Sequence, residues 1–395
     1  MSRLHLVRRL ALLGGGAFAC VGGLAYAEPA GGAPVAVGIL GTGWGLKVQL
    51  PQLRAAGMQV VALHSRDAER RAAVAREHEL PYSFTSVEKL CASDTVELVS
   101  CVGPTHTRKG QAIAALANGK HVLIEKPMGL DEGEACEIMA ASRAVPDARA
   151  WMDFELRCLP AVVRMRDLIQ SGELGPPQHI AFRCLGNFRW LSGSSSHWAL
   201  RECGGGVFSA VGTHFVDLTR HLTGREVRRV SASQRSLVPS LPDANGVEVP
   251  VTADGLCAAT MELCGPDAPL VTMLISGKSP GLPFENALTI SCARGVLKLD
   301  LLTSTLTIFR EGADGTEEVG GGGNAWSDVG TPALGRAISS ALRGAAPTAS
   351  AEPGGVAVGD LATLVDGVLV QRVTDAVHKS AAGEGAWLEV DSTPP

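Results

Sequence analysis

Val35-Ala36-Val37-Gly38-Ile39-Leu40-Gly41-Thr42-Gly43-Trp44-Gly45-Leu46 is an unbroken apolar run that ends in a glycine-rich turn. Six consecutive apolar or small residues suit a strand buried on both faces, as in a parallel sheet. The glycines that follow suit the turn from that strand into a helix. The first, Gly41, permits a tight turn, and the second, Gly43, lets the main chain approach a pyrophosphate held at the helix N-terminus. Leu46 fills the third glycine slot of this pattern, with Gly45 one place early. Gly41, Thr42, Gly43 and Trp44 are therefore the first candidate cofactor-binding residues.

Downstream, strand-like runs at 59–63, 96–102, 121–124 and 149–154 alternate with helical patterns at 47–56, 68–78, 108–118 and 132–143. Such alternation means βαβ units with right-handed crossovers. Residues 34–154 are thus expected to form an α/β Rossmann domain with a parallel sheet. The pattern then changes. One helix at 161–171 precedes β-type runs at 179–187, 227–235, 256–263, 270–275, 287–292 and 305–309, separated by turn residues. An α+β domain with an open, mostly antiparallel sheet is expected over 155–390. A glycine loop at 320–323 and helices at 333–342 and 358–380 complete it.

Upstream, Arg3, Arg8 and Arg9 precede an apolar stretch that closes on Ala25-Tyr26-Ala27. A basic start, an apolar middle and an A-x-A ending predict a cleavable leader over 1–27. Arg8-Arg9-Leu10 resembles a twin-arginine export signal, which implies a secreted or periplasmic protein. An organellar transit peptide is the alternative. Five glycines dilute the apolar stretch, which argues against a permanent membrane span.

Composition narrows the partners. The chain carries 35 basic and 40 acidic residues, a net charge of -5. Loss of the three leader arginines leaves 32 against 40, or -8. That balance repels a phosphate backbone, and only 4% of the chain is aromatic, so nucleic acid is not an expected partner. A small molecule is. The ten cysteines form no CxxC pair and no zinc spacing, which reads as reduced core thiols and no metal.

Two further stretches carry chemistry. The second strand ends in His64-Ser65-Arg66, where a ribose-binding acid would be expected, and Asp67 comes after the arginine. A hydroxyl and a guanidinium suit a 2′-phosphate, so Ser65 and Arg66 favour NADP, with NAD as the alternative. The stretch Gly119-Lys120-His121-Val122-Leu123-Ile124-Glu125-Lys126-Pro127 ends a strand on a Glu-Lys pair. At the C-terminal edge of a parallel sheet, Lys126 would point into the ligand crevice and polarise a substrate oxygen. Glu125, Lys126 and Pro104 join the cofactor-binding set.

Taken together, GTGWG (41–45), GKHVLIEKP (119–127), ELRCLP (155–160) and GGGVFSAVGTHFVDL (204–218) resemble the glucose-fructose oxidoreductase, inositol dehydrogenase and MocA family. Within it, LPAVVRMRDLIQSGELG (159–175) and the stretch 204–224 look most like the glucose-fructose oxidoreductase domain-containing proteins. The resemblance spans about residues 34–390. It implies an NAD(P)-dependent oxidoreductase acting on a sugar, polyol or similar secondary alcohol, and a homo-oligomer. It makes Lys126 the catalytic lysine and His214 the histidine that exchanges a proton with the substrate. The family also places an aspartate four residues before that histidine, where this chain has Ala210. A methyl group can neither orient an imidazole nor take a proton. Asp217, Glu155 and His197 are the candidates to replace it. The rival expectation is a nucleotide-binding protein of the same fold with weak or no catalysis.

Overall fold

The computed structural model describes residues 33–193, 195–346 and 355–395. The expected leader lies outside the described residues. The opening apolar run forms β1 (Ala36–Leu40), whose last four residues are buried. Five more strands join it: β2 (Gln59–His64), β3 (Tyr82–Phe84), β4 (Leu98–Cys101), β5 (His121–Ile124) and β6 (Ala150–Met152). Their order is β3-β2-β1-β4-β5-β6, and every pairing is parallel. Chain order reverses between β1 and β4, which leaves a crevice beyond the strand ends where ligands of such sheets bind.

The second sheet has nine strands. β7 (Pro177–Leu185) and β8 (Val227–Arg235) belong to it. The short pair β9 (Ser240–Pro242) and β10 (Glu248–Pro250) stands apart. The sheet continues with β11 (Leu256–Leu263), β12 (Leu270–Ser276), β13 (Glu285–Cys292), β14 (Gly295–Asp300), β15 (Thr305–Arg310), β16 (Thr316–Gly320) and β17 (Leu388–Glu389). Its order is β16-β15-β14-β13-β7-β12-β11-β8-β17. All neighbours are antiparallel except β7 and β12. Alternate residues of β13, Asn286, Leu288, Ile290 and Cys292, are buried, the period-two pattern of a sheet with one packed face.

Several boundaries differ from the sequence reading. The helix expected at 47–56 starts at Gly45, and its first turn, Gly45–Gln49, is a wide π-helical turn. The helix expected at 358–380 is broken: a short turn, Val358–Asp360, precedes the helix Leu364–Ala382. Thr363 is the reason. Its side chain caps the Asp366 amide while Asp366 caps Thr363 in return, which starts a helix afresh. Gly320 ends β16 rather than opening a loop, and Gly321, Gly322 and Gly323 continue with positive φ. The helix Thr331–Leu342 packs into the core of the first sheet, where Leu334 and Ile338 are buried with Val37 and Leu53. Among the described residues, no cysteine is paired, and no helix is long and apolar enough to cross a membrane.

Candidate active site

The glycine turn sits at the crevice between β1 and β4. A Cβ on Gly41 would stand 2.7 Å from the Val102 carbonyl oxygen, with φ at 155°, so only glycine fits there. Gly43 differs: a Cβ there would meet nothing within 4 Å. The space over Gly43 is open, which leaves room for a pyrophosphate to approach its main chain. Pro104 occupies the N-cap position of the helix Thr105–Ala117, and its carbonyl accepts from the Thr107 amide. The side chain of Trp44 is exposed beside the turn. A dinucleotide thus fits the residues at this edge.

At the end of β2, Ser65 is buried and donates its amide to the Phe84 carbonyl. Asp67 follows at the start of the next helix. Its carboxylate caps the helix Ala68–Glu77 by accepting from the Arg70 amide at 3.0 Å. Arg70 leans back to donate to the Thr42 carbonyl at 3.4 Å, and Arg71 donates to the Ser65 carbonyl at 3.3 Å. Arg66, next to Ser65, is exposed.

Lys126 follows β5, and its peptide bond to Pro127 is cis. Its ammonium donates to the Ala210 carbonyl at 2.6 Å and lies 5.9 Å from the centroid of the Trp198 ring. Burial pulls the lysine below the usual ammonium range, while Glu125 and Glu155 pull it back up. Beside it lies a polar network. Gln49 donates to Asp153 at 2.7 Å and to Glu125 at 3.5 Å, and Ser100 donates to Gln49. The Lys126 amide donates to Glu125 at 3.1 Å. Burial, then the neighbouring carboxylates, raise both Asp153 and Glu155 well above the ordinary carboxyl range. Arg108, also buried, donates to the carbonyls of Gly103 and Pro127, and burial lowers it to about 10. Three buried carboxyls, Glu125, Asp153 and Glu155, thus lie near buried Arg108 and half-buried Lys126.

His214 lies on the helix Thr213–Thr223, which continues a π-helical turn over Phe208–Gly212. Asp254 anchors its start by accepting the Phe208 amide at 3.1 Å and an Arg201 guanidinium at 2.9 Å. Gly206 must be glycine here, since a Cβ would fall 2.1 Å from that carboxylate. The imidazole is 1% exposed, flanked edge-on by Phe154 and Trp326. Burial, then the charge of Lys126, push it well below the usual histidine range.

Of the three candidates to replace the absent aspartate, the structure separates one. Asp217, one turn along the same helix, is taken by Arg157, whose guanidinium grips both its oxygens at 2.8 and 2.6 Å. The ring of His197 packs at a tilt against Trp198, and burial lowers it to about 4. Glu155 faces His214, with its Oε2 3.8 Å from Nδ1. The structure therefore brings Glu125, Lys126, Glu155, Ala210 and His214 together at the edge of the first sheet. Ser65 and Arg66 lie at the far end of the crevice. Sequence reasoning missed Gln49, Ser100, Asp153, Arg108 and Trp326. Gln49 offers the one readable hint, an amide on the buried side of the helix start beside Gly45 and Val48.

Comparison with known proteins places this geometry. A model of an oxidoreductase family with an NAD-binding Rossmann fold matches residues 35–149, and one of the GFO/IDH/MocA C-terminal domain matches 162–298. The uncharacterized oxidoreductase sll0816 of Synechocystis sp. is 31% identical over 237 residues, 58% of this chain and 62% of that protein. Human glucose-fructose oxidoreductase domain-containing protein 2 is 31% identical over 242 residues, 60% of each chain. The match thus spans about three fifths of the length of these curated relatives. A levoglucosan dehydrogenase in complex with NADH shares the fold, with a TM-score of 0.76 at 19% identity over 91% of this chain and 100% of that one.

Proposed function

The chain belongs to the Gfo/Idh/MocA oxidoreductase family, and from that premise we propose that it moves hydride between NADP(H) and a sugar, polyol or similar secondary alcohol. The observation that carries the reading is the lysine of the Glu125-Lys126 pair, held at the crevice with its ammonium on the Ala210 carbonyl and His214 on the same helix segment. A nicotinamide supplies the hydride chemistry when bound. The residues of the chain do the rest. Gly41 to Trp44 present amides to the pyrophosphate, and Ser65 and Arg66 receive the 2′-phosphate. Lys126 exchanges a carbonyl for the substrate oxygen and stabilises its negative charge. His214 exchanges the hydroxyl proton. The aromatic rings of Trp198 and Trp190, 6.3 Å apart, continue from Lys126 and offer apolar faces to a sugar ring.

The test is a titration of the purified protein with NADPH and NADH, followed by turnover on a panel of aldoses, polyols and their keto forms. The reading expects saturable binding, tighter for NADPH, and turnover on at least one class. A second reading, dinucleotide binding without catalysis, is favoured by Ala210 alone. Tight binding with no turnover on the whole panel would select it.

A further inference from the structure

Two buried polar atoms face each other without partners. Among the described residues, Glu155 Oε2 and His214 Nδ1 make no hydrogen bond, and they lie 3.8 Å apart. The two residues are 3% and 1% exposed, so bulk water does not reach them. Buried polar atoms almost always find a partner, and a shift of about 1 Å makes these two each other's. Their surroundings hold them in place. The ring of Phe154, the residue before Glu155, packs edge-on to the imidazole, as does Trp326 from the far side. Gly330 fits so closely that a Cβ on it would stand 3.0 Å from the Glu155 Cγ.

We propose that Glu155 is the positioning residue for His214, its carboxylate accepting the Nδ1 proton so that Nε2 keeps its lone pair for the substrate hydroxyl. The proposal rests on the oxidoreductase reading and gives it the acidic partner that Ala210 lacks. In the oxidative direction, the carbon–hydrogen bond breaks and its electron pair leaves with the hydride to oxidised dinucleotide. The hydroxyl proton passes to Nε2, and the substrate is left as a carbonyl. The imidazolium so formed faces the Glu155 carboxylate, which offsets its charge in a site that burial makes hostile to cations. Asp153 and Glu125 raise the affinity of Glu155 for protons, and Lys126 opposes them. On the elements packed around it, Asp217 is held by Arg157, Arg220 by Glu226 and Asp366, and Asp328 and Arg336 stand further along.

Nitrogen-15 NMR of the imidazoles in the full chain tests this without any turnover. The wild type should show His214 protonated at Nδ1 and bare at Nε2, with His214→Gln identifying its signals. The reverse tautomer would overturn the proposal even if no Glu155 variant folds. In kinetics, E155Q should lower kcat by up to about 10²–10⁴-fold, the range of a single acid–base group, with KM and dinucleotide affinity within about threefold. Because burial raises the Glu155 carboxyl, wild-type kcat should climb with pH through a value above the ordinary glutamate range. That limb should vanish in E155Q and return in part in E155D. A210D added to E155Q should recover activity. Wild-type kcat and pH profile in E155Q would contradict the proposal. If the wild type turns over nothing, the oxidoreductase reading falls, while the His214 tautomer still decides the role of Glu155.

Discussion

The glycine turn after β1 and the Lys126–His214 cluster lie on one crevice but are built on opposite principles. The turn is local: consecutive residues supply it, Gly41 because the Val102 carbonyl leaves no room and Gly43 because open space is needed. The cluster is assembled from a helix start, two strand ends and a distant helix, and most of its polar residues are buried. A local, open site tolerates little change in main-chain shape. A buried, non-local site tolerates little change in charge.

The largest expected effect is on the cluster. If the lysine acts on the reacting oxygen as proposed, Lys126→Met should cut turnover by about 10²–10⁴-fold while leaving NADPH affinity within a few fold. Loss of binding in a fluorescence titration of this variant would merge the two regions into one. Asp217→Asn separates structure from chemistry within the cluster. It deprives buried Arg157 of its closest partner and should lower stability by about 3 kcal/mol, read by urea unfolding. Activity per folded molecule should persist; its loss at unchanged stability would return Asp217 to the proton path.

On the turn, Gly41→Ala should weaken dinucleotide binding about tenfold to a hundredfold, since the clash with Val102 is worth about 1–3 kcal/mol of backbone strain. Calorimetric titration measures it, and an unchanged constant would show that the pyrophosphate does not use this main chain. Smallest is the effect of Arg66→Gln. The ratio of NADPH to NADH affinity should fall about tenfold, with NADH itself unaffected, in keeping with one charge-assisted hydrogen bond.

The same contrast explains what the sequence could tell. β1, the glycine turn and the Glu-Lys-Pro strand end were legible because each is a run of neighbours with a fixed period or a fixed turn residue. The parallel sheet and the mostly antiparallel sheet follow from such runs. Short edge strands were not legible: β3 and β16 have few buried residues, so no alternation marks them. The break before Leu364 hid in a capping box inside an apolar stretch. In the site, Asp217 looked like a partner for His214 because residues three apart share a helix face. Spacing says nothing of Arg157, which arrives from another element and takes that carboxylate. Glu155 faces the imidazole for the same reason in reverse, a tertiary contact that no local pattern encodes.

The most direct test of hydride transfer at Lys126 is isotopic. The protein is incubated with oxidised dinucleotide and polyols or sugars deuterated at their carbinol carbons, and the nicotinamide ring is then weighed by mass spectrometry. Deuterium should enter the ring with the wild type and be absent with Lys126→Met. A wild-type protein saturated with dinucleotide whose ring stays free of deuterium across the panel would contradict the account.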